Sequence, residues 1–320
     1  MLYRRHLRIK ALQSLYAFFS GGQDDIVAGE KQLMLSINKV YELFIYQLSF
    51  LQEVKRFSEN RIEENKKKYY PTEEELNANM KFVNNKFLKH LEENKDFRNK
   101  EELYKINWSE EQDMIRKFHK ILHEADFFKN YMKSGKTSIE EDKKLIVKIV
   151  DRLMAPFELL TSFYAEKSVF FVDGYDLVNI LLIKYADTFS TKVNEDTELP
   201  PLLKTEDDDV NTDLDFVKKL YRKVILNNDI NDKLIEPKTI NWEYDRIPLL
   251  DLILIKMAIT EFEFMDEVPV KVTLNEYIEL AKYFSIAKSK TFVNGVLDKL
   301  IHELKADGRI KKVGMGMIDK

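Results

Sequence analysis

His119 and His123 stand four residues apart, a spacing at which two imidazoles on one face of a helix can share a metal ion, with Glu124 adjacent. The sequence offers no third ligand, so the pair reads as surface histidines and no metal is expected. Gly135-Lys136-Thr137 resembles the end of a phosphate-binding loop. Asn130, however, occupies the place of the required upstream glycine, and no apolar strand precedes it. Asp207, Asp209 and Asn211 begin like a calcium loop, yet Thr212 replaces the turn glycine and Lys218 the closing glutamate. Gly314 and Gly316 lie in a basic tail with no helix after them, which excludes a dinucleotide fingerprint. In a chain that is 33% charged, paired carboxylates identify no acid–base catalyst. These patterns nominate no catalytic residue and no cofactor.

The N-terminus carries a stronger signal. Residues 1–22 contain Arg4, Arg5, Arg8 and Lys10 and no acid. On a helical wheel Arg4 and Arg8 fall on the side of Leu12, Leu15 and Phe19, while His6, Lys10, Gln13 and Ser14 take the opposite face. Forked guanidinium donors suit phosphates and stack on bases, which points to nucleic acid. The simpler alternative is a frayed basic terminus with no ligand. Overall, 51 Lys plus Arg against 55 Asp plus Glu leave a net charge of -4, which argues against a protein that coats nucleic acid generally. Glu206, Asp207, Asp208, Asp209, Asp213 and Asp215 crowd one later stretch, predicted to face a different ligand from the arginines.

The elements that must position these residues read as helices throughout, an all-α class. Nine Gly and seven Pro in 320 residues are too few for the turns of a sandwich or barrel, and 44% hydrophobic residues suffice for a substantial core. Apolar spacings of three and four predict helices over 2–19 and 30–57, the latter with Leu33, Ile37, Val40, Phe44, Leu48 and Leu51 on one stripe. Residues 60–98 read as a solvated helical excursion, with an acidic helix start at Glu73, and residues 109–189 as amphipathic helix behind a capping box at Ser109. The run 190–213, with Pro200 and Pro201, reads as a mobile linker. Further helices are predicted at 214–227, 229–236, 247–263, 273–284 and 289–306, with a capping box at Thr273 and Glu276. Gly295, inside the last helix, hints at close approach by another backbone. Only Val169 to Val172 carries a strand signal.

Domain boundaries follow from this pattern: N-terminal helices at 1–57, a helical insertion with an acidic linker at 58–205, further helices at 206–306 and a basic tail at 307–320. Cysteine is absent, which removes disulfides and fits a reducing compartment. The basic start before Ala11 to Phe19 loosely imitates a secretory signal, but Gln13 and Ser14 interrupt the apolar run. No apolar stretch reaches the ~18 residues of a membrane span, so a cytoplasmic location is expected.

Two blocks together resemble the NusB family. The first is Arg4-Arg5-His6-Leu7-Arg8 leading into Ala11-Leu12-Gln13-Ser14-Leu15-Tyr16. The second runs from Asp245-Arg246-Ile247 through Ile259-Thr260-Glu261-Phe262, Val268-Pro269-Val270-Lys271-Val272, Asn275-Glu276 and Glu279-Leu280-Ala281-Lys282 to Phe292-Val293-Asn294-Gly295-Val296-Leu297. The likeness covers about the first 55 residues and roughly 214–306; a long insertion between them is an arrangement associated with Bacteroidetes members.

The resemblance implies two packed helical bundles and binding of the boxA element of ribosomal RNA leaders jointly with ribosomal protein NusE, within an RNA polymerase antitermination complex. It places RNA contacts at Arg4, Arg5, His6, Arg8 and Tyr16, with His6 where another arginine is frequent. It adds Phe292 and Asn294 near the last helix, with Lys290 beside them and Lys288 where many relatives carry an acid. It places the NusE-facing surface along Asp251, Met257 and Glu261. NusB-like domains also precede RNA methyltransferase domains, but such an enzyme needs a Gly-rich strand-loop-helix unit and a catalytic Cys, both missing. A helical interaction scaffold without RNA binding is the remaining alternative, and the charge at residues 1–10 speaks against it.

Overall fold

The segment Leu249–Phe264 is apolar nearly all round, and a helix of that composition belongs in an interior. The computed structural model describes residues 2–203, 212–239 and 246–317; in it the chain is all-α, with no strand among those residues. In order the helices are α1 (Arg4–Ser20), α2 (Ile26–Lys66), α3 (Glu73–Leu76), α4 (Lys86–Glu93), α5 (Lys95–Leu103) and α6 (Gln112–Glu124). There follow α7 (Asp126–Lys133), α8 (Ile139–Ile149), α9 (Glu158–Lys167), α10 (Val169–Val172) and α11 (Tyr175–Thr188). The last are α12 (Thr212–Leu226), α13 (Asn228–Ile235), α14 (Leu249–Phe264), α15 (Val270–Phe284) and α16 (Ser289–Ala306).

They form two compact units, residues 1–37 with 202–320, and residues 38–201. The division falls inside α2, not near residue 57, because the second half of its apolar stripe, from Val40 to Val54, is buried in the second unit.

In the first unit α14 is the axis, packed against α1, α12, α13, α15 and α16. Its Ile253, Leu254, Ile255, Met257, Ala258, Ile259 and Phe262 are all buried. The final helix stops where the sequence suggests: Gly308 adopts φ 66° and the Arg309 N–H donates to the Leu304 carbonyl at 2.9 Å. Two local expectations are corrected. Helix α15 starts at Val270, and Thr273 is fully buried inside it, so Thr273 and Glu276 are not a capping box. Gly295 is exposed, and a Cβ there would meet nothing within 4 Å.

The second unit has an aromatic centre. The Tyr46 ring lies 5.9 Å from Trp108 and 5.7 Å from Phe171, and Phe50 lies 5.0 Å from Phe118. The stretch read as solvated is part of this core: Phe82, Val83, Phe87, Leu88, Leu91 and Phe97 are buried. Charge density misled there because α4 and α5 are short and bury only a narrow stripe each, and Phe82 and Val83 lie in a turn. Asn85 caps α4, accepting from the Phe87 and Leu88 N–H groups at 3.0 and 3.2 Å. At Ser109 a 3-10 turn without a side-chain cap precedes α6. Val169 to Val172 is helical, held by the Ser168 cap. Nor is 190–203 a loose linker. The Lys95 N–H donates to the Glu195 carbonyl at 2.8 Å, Asn94 to the Thr197 carbonyl at 2.7 Å, and Leu199 is buried. The calcium-like run at 207–211 and Asp245 lie outside the described residues.

Candidate nucleic-acid interface

Helix α1 begins at Arg4 because the Tyr3 N–H is taken up by the His6 Nδ1 at 3.1 Å. His6 therefore caps the helix, and this fixes where the arginines point. Each of the three meets a carboxylate. Arg4 Nε donates to Asp213 at 3.2 Å, and Arg5 grips Glu276 through Nε and Nη2 at 2.8 and 2.7 Å. Arg8 grips Glu261 in the same way at 2.6 and 2.7 Å. The basic start and the acidic stretch thus do meet, at Arg4 and Asp213, and sequence distance concealed it.

Arg8 is a core residue. It is 3% exposed and Glu261 0%, and Glu261 also accepts from Thr273 at 3.2 Å and from the Tyr277 hydroxyl at 2.5 Å. Burial works against the Arg8 cation, but the Glu261 charge and hydrogen bonds more than offset it and hold its pKa above the ordinary value. Burial, then Glu261, drives the Tyr277 phenol well up. Lys312 closes the far end of α14, donating to the Glu261 and Met265 carbonyls at 2.9 and 2.8 Å; burial brings its pKa down to about 8.

Arg4 and Arg5 remain at the surface, with Arg5 side-chain exposure at 51%. They line an open cleft of about 750 Å³ with Tyr3, Val268, Pro269 and Glu276. The Arg5 hydrogen bond is the main cause that holds the Glu276 carboxyl below its usual range. A guanidinium gripping one carboxylate edge uses two of its five N–H donors and keeps the rest for a second anion. Tyr16 is exposed and sits eleven residues after Arg5, hence on nearly the same face of α1 and about 16 Å along it.

At the start of α16, Lys288 and Lys290 are exposed, and neither has a carboxylate within ion-pair reach among the described residues. Asn294 bonds Asp298 at 3.2 Å, and Phe292 is buried, so it supports the helix instead of offering a stacking face. Ser289 donates to Asp251 at 2.5 Å and fixes α16 on α14. The structure gathers Arg4, Arg5, His6 and Arg8 at one cleft; the α16 residues belong to the same unit, on helices packed against α14 and α15.

Asp251, Met257 and Glu261 are buried, at 1%, 0% and 0% exposure. None presents a face to a partner, because α14 is wrapped by other helices. Lys10, read onto a polar face, is buried as well. Asp213 and Glu276 orient the arginines, and nothing in the sequence marks them for that role among 55 acids: Asp213 stands out only as part of the acidic stretch, Glu276 only as a helix-start and family-block residue. His119 and His123 lie together in the second unit with ring centroids 4.2 Å apart, and His119 is buried, not superficial. No group of three metal-binding side chains occurs among the described residues.

A model of the NusB family matches residues 181–302. Transcription antitermination protein NusB of Salinibacter ruber is 42% identical over 104 residues, 32% of this chain and 65% of that protein. The protein of the same name from Chloroherpeton thalassium is 42% identical over 105 residues, 33% of this chain and 50% of that one. That of Listeria monocytogenes is 37% identical over 120 residues, 37% of this chain and 89% of the relative. The chain belongs to the NusB family. It spans about two thirds and half of the first two NusB relatives, and no solved structure matches it. The family match begins at residue 181, within α11 and ahead of the block that carries the resemblance in sequence.

Proposed function

We propose that this chain is an RNA-binding transcription antitermination factor that binds boxA-type single-stranded RNA of ribosomal RNA leaders together with ribosomal protein NusE, joins an RNA polymerase antitermination complex, and catalyses no reaction. One observation carries the reading: Arg4 and Arg5 are held by Asp213 and Glu276 at the mouth of a cleft with guanidinium donors to spare, and Tyr16 is exposed along the same face of α1 as Arg5. Oriented guanidiniums hold phosphates and exposed aromatic rings stack unpaired bases, a combination suited to single strands. Asp213 and Glu276 neutralise part of the arginine charge, so the unpaired Lys288 and Lys290 supply most of the salt-dependent attraction. NusE extends the RNA-binding surface from exposed residues of the same unit.

The test is a fluorescence-anisotropy titration of a boxA-like single strand and of its duplex, with and without NusE. The single strand should bind more tightly, and NusE should tighten it further. Equal affinity for both, unmoved by NusE, removes the proposal.

A further inference from the structure

The unit of residues 38–201 carries a pocket of about 590 Å³, within the ~300–1,000 Å³ typical of small-ligand sites. Its wall is ring-lined and basic: His119, His123 and Phe128 stand beside Arg61 of α2 and Lys117 and Lys120 of α6. The other charged lining residues are Arg116, paired with Asp113, and Glu124, which is the one acid and lies 3.9 Å from Lys120. Arg61 and Lys117 have no carboxylate within ion-pair reach among the described residues.

His119 is the telling residue. It is 7% exposed, lines the pocket, and makes ring contacts with Phe57 and His123 but no hydrogen bond among the described residues. Its ring nitrogens are not among the fully buried polar atoms that lack a partner, so they meet solvent through the pocket, where a ligand can take the place of that water. Its surroundings favour the neutral form: burial first, then the His123 and Arg61 charges, bring its pKa down to about 3. An anion seated between Arg61 and Lys117 would relieve that repulsion. Just beyond the pocket-lining Asn65, α2 ends in Lys66, and Tyr69 and Tyr70 follow, 88% and 84% exposed with their rings 4.5 Å apart.

We propose that this pocket is a nucleotide-binding site, in which Arg61 and Lys117 hold a phosphate, the histidines take the base, and Tyr69 and Tyr70 stack the neighbouring bases of a single-stranded RNA. Unpaired cations followed along the chain by exposed aromatic rings suit a single strand, whereas an acidic peptide would use the cations alone. The site lies in the other unit from Arg4 and Arg5 and does not rest on their role.

The test uses the full chain and the ring signals of its five histidines in NMR spectra, titrated with a nucleoside 5′-monophosphate, inorganic phosphate, a poly-glutamate peptide and a short single-stranded RNA. The mononucleotide and the RNA should move the His119 and His123 signals and raise the pH at which they titrate, and phosphate or poly-glutamate should do so far less. Arg61→Ala with Lys117→Ala should weaken mononucleotide binding about tenfold while circular dichroism stays the same, since both side chains are exposed. Tyr69→Ala with Tyr70→Ala should weaken the RNA and spare the mononucleotide. Arg4→Ala with Arg5→Ala should leave the two histidine responses intact. Unmoved His119 and His123 signals, or equal responses to poly-glutamate and to nucleotide, would overturn the proposal.

Discussion

In the unit of residues 1–37 and 202–320 the centre is ionic: Arg8 and Glu261, both buried, are tied to Thr273 and Tyr277 across α1, α14 and α15. In the unit of residues 38–201 it is aromatic, Tyr46, Phe50, Trp108, Phe118 and Phe171 meeting mostly edge to face. Ring pairs contribute about 0.5–1.5 kcal/mol each beyond their buried area and tolerate small shifts. A buried ion pair adds little over an apolar replacement, yet losing one partner leaves an uncompensated charge. The family unit is therefore the one whose geometry is set residue by residue. Part of what gives the NusB likeness, Arg8 and Glu261 above all, is buried and holds helices together.

Excision should separate the two units most strongly. Replacing residues 38–201 by a flexible linker should leave a soluble helical protein, whereas removing 60–205 strands the apolar stripe from Val40 to Val54 and should aggregate. Circular dichroism and size-exclusion chromatography read the difference. Similar behaviour of both deletions would show that the division inside α2 has no energetic meaning.

Next comes the ion pair. Arg8→Ala should cost roughly 3–5 kcal/mol in urea unfolding. Arg8→Met combined with Glu261→Gln, which keeps an acceptor for Tyr277 and Thr273, should lose less than half of that. A loss under about 1 kcal/mol for Arg8→Ala would place the arginine outside the core network.

A smaller effect sharpens the aromatic side. The folded pKa of His119, about 3, lies below its unfolded value of 6.5, so the unfolded chain binds the proton first. The contribution of His119 is complete above pH 6.5 and is lost as pH falls towards 3, by about 2 kcal/mol between pH 6.5 and 5. Urea midpoints across that window should fall more steeply for the wild type than for His119→Gln.

Helix positions were largely legible from apolar spacing: α12 to α14 and α16 begin and end within about two residues of expectation, and α15 starts three residues early. What spacing does not encode is pairing across hundreds of residues. Arg8 with Glu261 is such a case, where a wheel reports only that an arginine faces the core side. The partner face on α14 came from the resemblance, and spacing could not correct it, since an apolar helix studded with Asp251 and Glu261 has the same pattern whether its acids meet a partner or its own neighbours. The short helices α4 and α5 bury narrow stripes that local charge outweighs in any sequence window. The arginine cleft was legible as residue types, but its carboxylate partners were not.

If surface cations of the family unit hold RNA while its buried ions hold the fold, the two roles separate in the salt dependence of boxA-like single-strand affinity, measured for the wild type and for Lys288→Ala with Lys290→Ala. Each phosphate contact on a single strand contributes about 0.7 to the slope of log affinity against log salt, so the double variant should flatten that slope by about 1.4. The melting temperature should stay within a few degrees, because both lysines are exposed. An unchanged slope with weakened folding would contradict the claim and assign these lysines to the fold instead.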